Sequence, residues 1–188
     1  MINQTLINSN IEHCHCQLTQ KQTTAIKDLY QLDHFFTQDL LEKLVGYAEQ
    51  ASNWQKVELQ EYTSRYSIPW DADSVIEETY LIFDGLTNSL SDLFGKSLKL
   101  TGIQLWQDNE GYTIAPHVDN ERVGYSIQIY LTEGIDHLGT HFFSDTTVEI
   151  PYIVNTGYVT SMAQRIKHGM TKSVPKNHVR YSVYAIWA

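Results

Sequence analysis

The sequence predicts a single mainly β domain, with helices in its N-terminal part and a β-rich core after them. Three observations carry that reading. Two stretches, within residues 37–51 and 74–95, place apolar side chains at helical spacing. From Leu98 onward the texture changes to short aromatic and β-branched runs separated by Gly, Asn and Asp turns, as in a sandwich, barrel or jelly roll. A chain of 188 residues is the size of one domain and can bury a real core. No repeat, low-complexity tract or linker divides it. The expected organisation is one domain over residues 1–188, helical over about 26–95 and β over about 98–188.

Residues 1–25 are polar and mixed, and His13-Cys14-His15-Cys16 stands out among them. A strand would turn two of these four side chains to each face, and no partner ligand motif follows. An edge strand or flexible arm is the plainer reading, with an adventitious metal site as the other. Residues 26–36 read as a short strand leading to a helix that Thr37 caps, with Leu40, Leu41, Leu44, Val45 and Ala48 on its apolar face. Residues 54–65 fit a strand or an excursion, and 67–70 a loop. Ser74 and Glu77 have the spacing of a capping box, opening a second helix. Its stripe runs from Val75 to Leu93, Gly85 offers a break, and Gly95 ends it. Strands are expected over 99–107, 113–119, 124–131, 140–143, 148–154, 158–163 and 179–187, with the first turn at Asp108-Asn109-Glu110-Gly111.

Composition narrows the function. The net charge is −9, which disfavours a protein that grips phosphate backbones broadly. Cys14 and Cys16 lie too close to bridge easily and have no other partner, which suits a reducing compartment. The N-terminus lacks a basic segment followed by an apolar run, and no stretch has the apolar length of a membrane span. A cytoplasmic protein is expected.

Chemistry concentrates at Pro116-His117-Val118-Asp119. In extended chain, residues i and i+2 point to one side, so His117 and Asp119 project together. An imidazole and a carboxylate can begin a divalent metal site. Of the eight histidines, His168 is the candidate third ligand, late in the β-rich half. Two histidines and one carboxylate make the facial triad of iron(II) oxygenases, which leaves metal positions open for other ligands. Twelve residues after His168, Arg180 and Ser182 share a strand face. A guanidinium with a hydroxyl beside it suits a carboxylate. A chelating 2-oxo acid would satisfy the metal and the clamp together.

The ordered set Gly111, Pro116-His117-Val118-Asp119, Gly139-Thr140-His141-Phe142, Asn155-Thr156-Gly157, His168-Gly169 and Arg180-Tyr181-Ser182 resembles the iron(II)/2-oxoglutarate-dependent oxygenase superfamily, within it the prolyl-4-hydroxylase-like branch. The resemblance spans roughly residues 100–187. It implies a double-stranded β-helix, a jelly roll with helices packed on its larger sheet. It implies iron on His117, Asp119 and His168, with 2-oxoglutarate as co-substrate, its distal carboxylate on Arg180 and Ser182 assisting. It implies a dioxygenase that consumes O2, hydroxylates a C–H bond and releases succinate and CO2, with ascorbate as a candidate reductant. Ile114 stands where that branch often has a tyrosine, and Arg180 where many members have lysine. Prolyl specificity is therefore not implied. Asp119 is retained, which argues against the related halogenases.

The expected substrate is a small molecule, an amino acid or a protein side chain. Two other functions compete: nucleic-acid dealkylation within the same superfamily, disfavoured by the charge, and a non-catalytic jelly roll that holds a metal or carboxylate. Tyr112, Gln104, Tyr125, Gln128 and Tyr130 are candidates for the cavity wall, most of them structural. Arg122, Arg65 and Trp70 are candidate substrate contacts, with exposed loop positions as the plainer reading.

Overall fold

Among the described residues, two antiparallel sheets form the body of the protein, one of seven strands and one of three. The computed structural model describes residues 26–57, 64–69, 74–119, 124–161 and 165–188. The elements in order are β1 (Leu29–Leu32), α1 (Gln38–Gln50), β2 (Gln55–Lys56), β3 (Arg65–Pro69), α2 (Ser74–Gly85), α3 (Thr87–Phe94), β4 (Leu100–Asp108), β5 (Tyr125–Tyr130), β6 (Thr140–Phe143), β7 (Thr147–Ile150), β8 (Gly157–Ser161), β9 (Lys167–Gly169) and β10 (Arg180–Trp187). The larger sheet runs β1-β8-β5-β10-β4-β3-β2 and the smaller β7-β6-β9. This arrangement is consistent with a jelly roll.

The helices form where the apolar spacing places them. Thr37 caps α1 by accepting from the Leu40 amide, and Leu40, Leu41, Leu44 and Ala48 are its buried face. The second helical stripe breaks in two after Gly85, and Gly95 closes α3 in the left-handed conformation at φ 62°. That conformation carries little penalty for glycine. Asn155, itself at φ 60°, fixes the chain into α1: its side chain accepts from the Phe36 amide and donates to the Phe36 carbonyl, both at 2.8 Å.

Side-chain alternation divides the interior into two layers. Ile127 and Ile129 of β5, Val183, Ala185 and Trp187 of β10, and Ile103 and Leu105 of β4 join the helical residues Leu40, Leu44, Phe83 and Leu90 in one apolar cluster. Phe83 meets Trp187 with ring centroids 6.0 Å apart, and the Trp187 indole donates to Thr87 Oγ1 at 3.0 Å. The second cluster joins Tyr130 and Tyr158 of the larger sheet to Phe142 and Ile150 of the smaller. The intervening residues are mostly polar: Gln128 on β5, Arg180 and Ser182 on β10, and Asp108 on β4 are buried. Strands buried on both faces show apolar residues on one side and hydrogen-bonded polar ones on the other, since buried polar groups need partners.

Several expectations need correction. Residues 67–69 belong to strand β3, where Ile68 is buried opposite Leu105 of β4. Pro69 pairs with β4 but lies beyond the reach of β2, an edge position of the kind proline tolerates. Asp108 is no turn residue; it ends β4, fully buried. The run 113–119 is no regular strand, for only His117 makes a ladder bridge, to His168. Pro116 has no amide to donate, and the Met170 amide reaches Ile114 at 2.9 Å, out of step with the His117–His168 pair. Strand β7 stops at Ile150 because Pro151 follows. Strand β9 was not expected. The cluster His13–Cys16, Trp70 and Arg122 lie outside the described residues.

Candidate metal centre

His117, Asp119 and His168 come together at one end of the gap between the sheets. Their nearest ligand atoms lie within 4.8 Å of one another, and among the described residues no other group of three or more His, Cys, Asp or Glu side chains converges so. Asp119 Oδ1 is 3.2 Å from His117 Nε2 and 3.6 Å from His168 Nε2. The backbone sets these positions. His117 and His168 exchange both amide–carbonyl hydrogen bonds, at 3.0 and 2.8 Å, which puts their rings side by side at 4.6 Å.

Ring orientation leaves the metal-facing nitrogens available. His117 Nδ1 lies 3.0 Å from the Ala115 carbonyl and His168 Nδ1 3.4 Å from that of Ile166. A carbonyl only accepts, so each Nδ1 carries the proton and, in the neutral ring, Nε2 presents its lone pair. Burial lowers the His168 pKa, and His117 adds to that, against the attraction of Asp119. Burial pushes the Asp119 carboxyl up, but the His117 hydrogen bond, the two histidine charges and the Tyr184 hydroxyl outweigh it and hold the pKa below the ordinary value. With the proton of the His117 hydrogen bond given up, two imidazole nitrogens and a carboxylate oxygen at 3.2 and 3.6 Å form a donor set that a divalent cation can take. Nitrogen, nitrogen and oxygen donors in this set fit iron(II).

A cavity leads inward from this centre, past Ile114, Thr140, Gln128 and Tyr158, to Arg180. Arg180 Nη1 donates to Asp108 Oδ2 at 2.6 Å. Arg65, from β3, grips the same carboxylate with Nε at 2.6 Å and Nη2 at 2.9 Å. All three are buried. Burial pulls the Arg180 pKa down, but Asp108 and the surrounding tyrosines outweigh that and keep the guanidinium charged. Arg180 Nε is buried with no hydrogen-bond partner among the described residues. The guanidinium lies 4.9 Å over the Tyr130 ring. An ionised donor in this position suits an incoming carboxylate.

Ser182 shares the Arg180 face but lies behind the cavity wall. Its hydroxyl accepts from Gln128 Nε2 at 3.0 Å, and Tyr158 donates to Gln128 Oε1 at 2.8 Å. Gln128 and Tyr158 of the wall and Ser182 behind it thus form a chain of polar side chains from three neighbouring strands. Thr140 is held at the opposite side by Tyr130, hydroxyl to hydroxyl at 2.8 Å.

Of the five candidate wall residues, Gln128 lines the cavity. Tyr125 packs against Phe94 on the helical side, and Gln104 accepts from the Trp106 indole at 2.8 Å. Arg65 is no exposed loop residue; it is buried and lines the cavity. Among the lining residues not foreseen are Trp106, Tyr158, Met170 and Tyr184. Tyr184 could have been found by extending the alternation from Arg180 and Ser182 one step further. Trp106 and Tyr158 carried no such signal.

No family model matches the sequence, and no curated protein matches it. Solved structures do match its fold. A Pseudomonas putida prolyl-4-hydroxylase superposes with a TM-score of 0.70 at 16% identity, covering 90% of this chain and 96% of that one. A Trichoplax adhaerens prolyl hydroxylase, solved with a hypoxia-inducible-factor peptide fragment, gives 0.71 at 14% identity, over 95% and 88%. HygX from Streptomyces hygroscopicus, solved with nickel, 2-oxoglutarate and hygromycin B, gives 0.65 at 11% identity, over 86% and 82%. The chain therefore shares the fold of the iron(II)/2-oxoglutarate oxygenases, in the form seen in prolyl-4-hydroxylases. Among the described residues, no helix is long and apolar enough to cross a membrane.

Proposed function

We propose that the protein is an iron(II)- and 2-oxoglutarate-dependent dioxygenase that hydroxylates a C–H bond of a small molecule, an amino acid or a protein side chain. The carrying observation is the convergence of His117 Nε2, His168 Nε2 and Asp119 Oδ1 at the head of a cavity that reaches Arg180. The whole chain is read as one oxygenase domain, a double-stranded β-helix with α1, α2 and α3 on the larger sheet. Fold neighbours that hold a peptide or hygromycin B support either kind of substrate.

When bound, iron(II) with 2-oxoglutarate and O2 supplies oxidative decarboxylation: co-substrate, O2 and R–H become succinate, CO2 and R–OH. The chain's own residues bind and orient. His117, Asp119 and His168 would hold the ion, as a set of three donors that leaves room for the co-substrate. The Ala115 and Ile166 carbonyls hold the two imidazoles with Nε2 toward the ion. Arg180 takes the distal carboxylate of the co-substrate through its unpartnered Nε, while Asp108 steadies the rest of the fork. Ser182 assists at one remove, by orienting Gln128. Ile114, Met170 and the ring of Tyr158 exclude water from the space between.

The test is anaerobic addition of Fe(II) and then 2-oxoglutarate to the metal-free protein. The expected result is the weak visible charge-transfer band of the chelate, absent from His168→Ala. Iron binding without the band overturns the oxygenase reading in favour of a metal- or carboxylate-binding jelly roll.

A further inference from the structure

Asp119 has two carboxylate oxygens, and the structure gives them different neighbours. Oδ1 faces both histidine Nε2 atoms, at 3.2 and 3.6 Å. Oδ2 accepts a hydrogen bond from the Tyr184 hydroxyl at 3.3 Å. Tyr184 sits on β10, two steps along the face that carries Arg180 and Ser182. Its ring is stacked on Trp106, centroids 4.2 Å apart and planes 18° from parallel. Arg65, on β3 across β4 from Tyr184, sets its guanidinium over the Trp106 ring, 3.8 Å from the ring centroid. The Trp106 indole is fixed in turn by Gln104 Oε1 at 2.8 Å. Arg65 is anchored through Nε and Nη2 to Asp108.

We propose that Tyr184 is a positioning residue: it holds Asp119 Oδ2 away from the ion and commits the carboxylate to bind through Oδ1 alone. Trp106, clamped between Arg65 and Tyr184, keeps the hydroxyl in place. This inference rests on the metal reading above. A carboxylate free to rotate can offer both oxygens to a divalent ion, which would use a coordination position needed by co-substrate or O2. A hydroxyl donating to the outer oxygen removes that option and fixes the inner lone pair. Partners of this kind alter metal affinity by roughly 10- to 100-fold.

Cobalt(II) is the probe, because its d–d spectrum reports coordination and needs no turnover. Wild type, Tyr184→Phe and Trp106→Phe are titrated with Co(II), and each metal-free protein is melted as a check on folding. Tyr184→Phe keeps the stacked ring and removes only the hydroxyl. It is expected to bind Co(II) about tenfold more weakly, with an altered d–d spectrum and little change in melting temperature. Trp106→Phe, which keeps an aromatic ring under Tyr184, is expected to bind between the two. Wild-type affinity in Tyr184→Phe overturns the proposal, and an unchanged spectrum overturns the single-oxygen assignment. A wild type that binds no Co(II) overturns the metal reading and this inference with it.

Discussion

Arg180 and Asp108 lie 72 residues apart in the chain and meet at 2.6 Å in the interior, side by side on paired strands. Arg65 closes on the same carboxylate from the other flank. Asp108 is thus an acceptor shared by two buried guanidiniums. Removing one partner from such an ion pair typically costs about 3–5 kcal/mol, because the remaining charge stays buried. Asp108→Asn is nearly isosteric and is expected to destabilise the fold by an amount of that order. Urea unfolding read by circular dichroism measures it. A midpoint equal to wild type would show that the two arginines find other partners.

Arg180 itself is expected to serve the co-substrate. Hydrogen bonds to charged groups contribute about 1.5–3 kcal/mol, so Arg180→Ala should weaken 2-oxoglutarate binding roughly 10- to 100-fold. Metal affinity should be largely retained, since the guanidinium lies deep in the cavity and contacts none of His117, Asp119 and His168. Calorimetry with Mn(II) and then 2-oxoglutarate separates the two affinities. Equal loss of both would make Arg180 a fold residue only.

Asp119→Ala makes the converse case. It removes the only oxygen among the three ligand atoms, and two imidazoles alone should hold iron(II) far more weakly. Equilibrium dialysis with Fe(II) under anaerobic conditions is expected to show that loss while the melting temperature of the metal-free protein holds. Asp119→Glu, which keeps the charge on a longer arm, should recover part of the affinity. Wild-type iron binding in Asp119→Ala would remove Asp119 from the ligand set.

The convergence of His117 and Asp119 was legible because it is local. His117 and Asp119 keep the i, i+2 relation even though their segment is not a regular strand, and Thr37 and Gly95 mark helix ends by short-range chemistry. The Asp108 cluster was not legible. Asp108 sits beside Asn109, Glu110 and Gly111, where composition reads as a turn, and only pairing with Arg65 and Arg180 on both flanking strands makes it interior. Residues 67–69 read as a loop for the same reason: a short segment with proline becomes a strand when β4 supplies the partner. The motif Asn155-Thr156-Gly157 shows a third case. It marks the fold rather than the site: Asn155 anchors Phe36, and a Cβ at Gly157 would stand 1.8 Å from the Gln128 carbonyl oxygen.

Tyrosines in the interior give the protein an alkaline limit. Burial pushes Tyr152 up to about 12, with Thr132 and Arg180 opposing. Burial pushes Tyr158 well above its ordinary value, and raises Tyr130 as well. A raised folded value means the folded state holds its proton longer than the unfolded chain does. The stabilisation is complete below pH about 10, where an unfolded tyrosine titrates, and is lost as pH rises towards the folded values. Stability is therefore expected to fall between pH about 10 and about 12. Phenolate absorbance at 295 nm should rise in two stages: exposed tyrosines first, then the buried group together with the loss of far-ultraviolet circular dichroism. A single smooth titration without unfolding would contradict this.

Gly169 joins fold stability to the candidate metal centre. It follows His168 in β9, and a Cβ there would lie 2.7 Å from the Ile114 carbonyl oxygen and 3.0 Å from the Ala115 carbonyl carbon. Both obstacles are backbone, so the chain must move to admit a methyl group. The segment that must move carries His117 three residues after Ile114, and the Ala115 carbonyl orients the His117 ring. Gly169→Ala is therefore expected to cost about 1–3 kcal/mol of stability, as overpacking does. It should also weaken Co(II) binding, because the two imidazoles are driven apart. Chemical denaturation and a Co(II) titration on the same preparation test both halves. Loss of stability with wild-type metal affinity would mean that the strain relaxes away from His117, through residues 170–174, where the Met170 and Val174 amides still bond to the Ile114 and Tyr112 carbonyls.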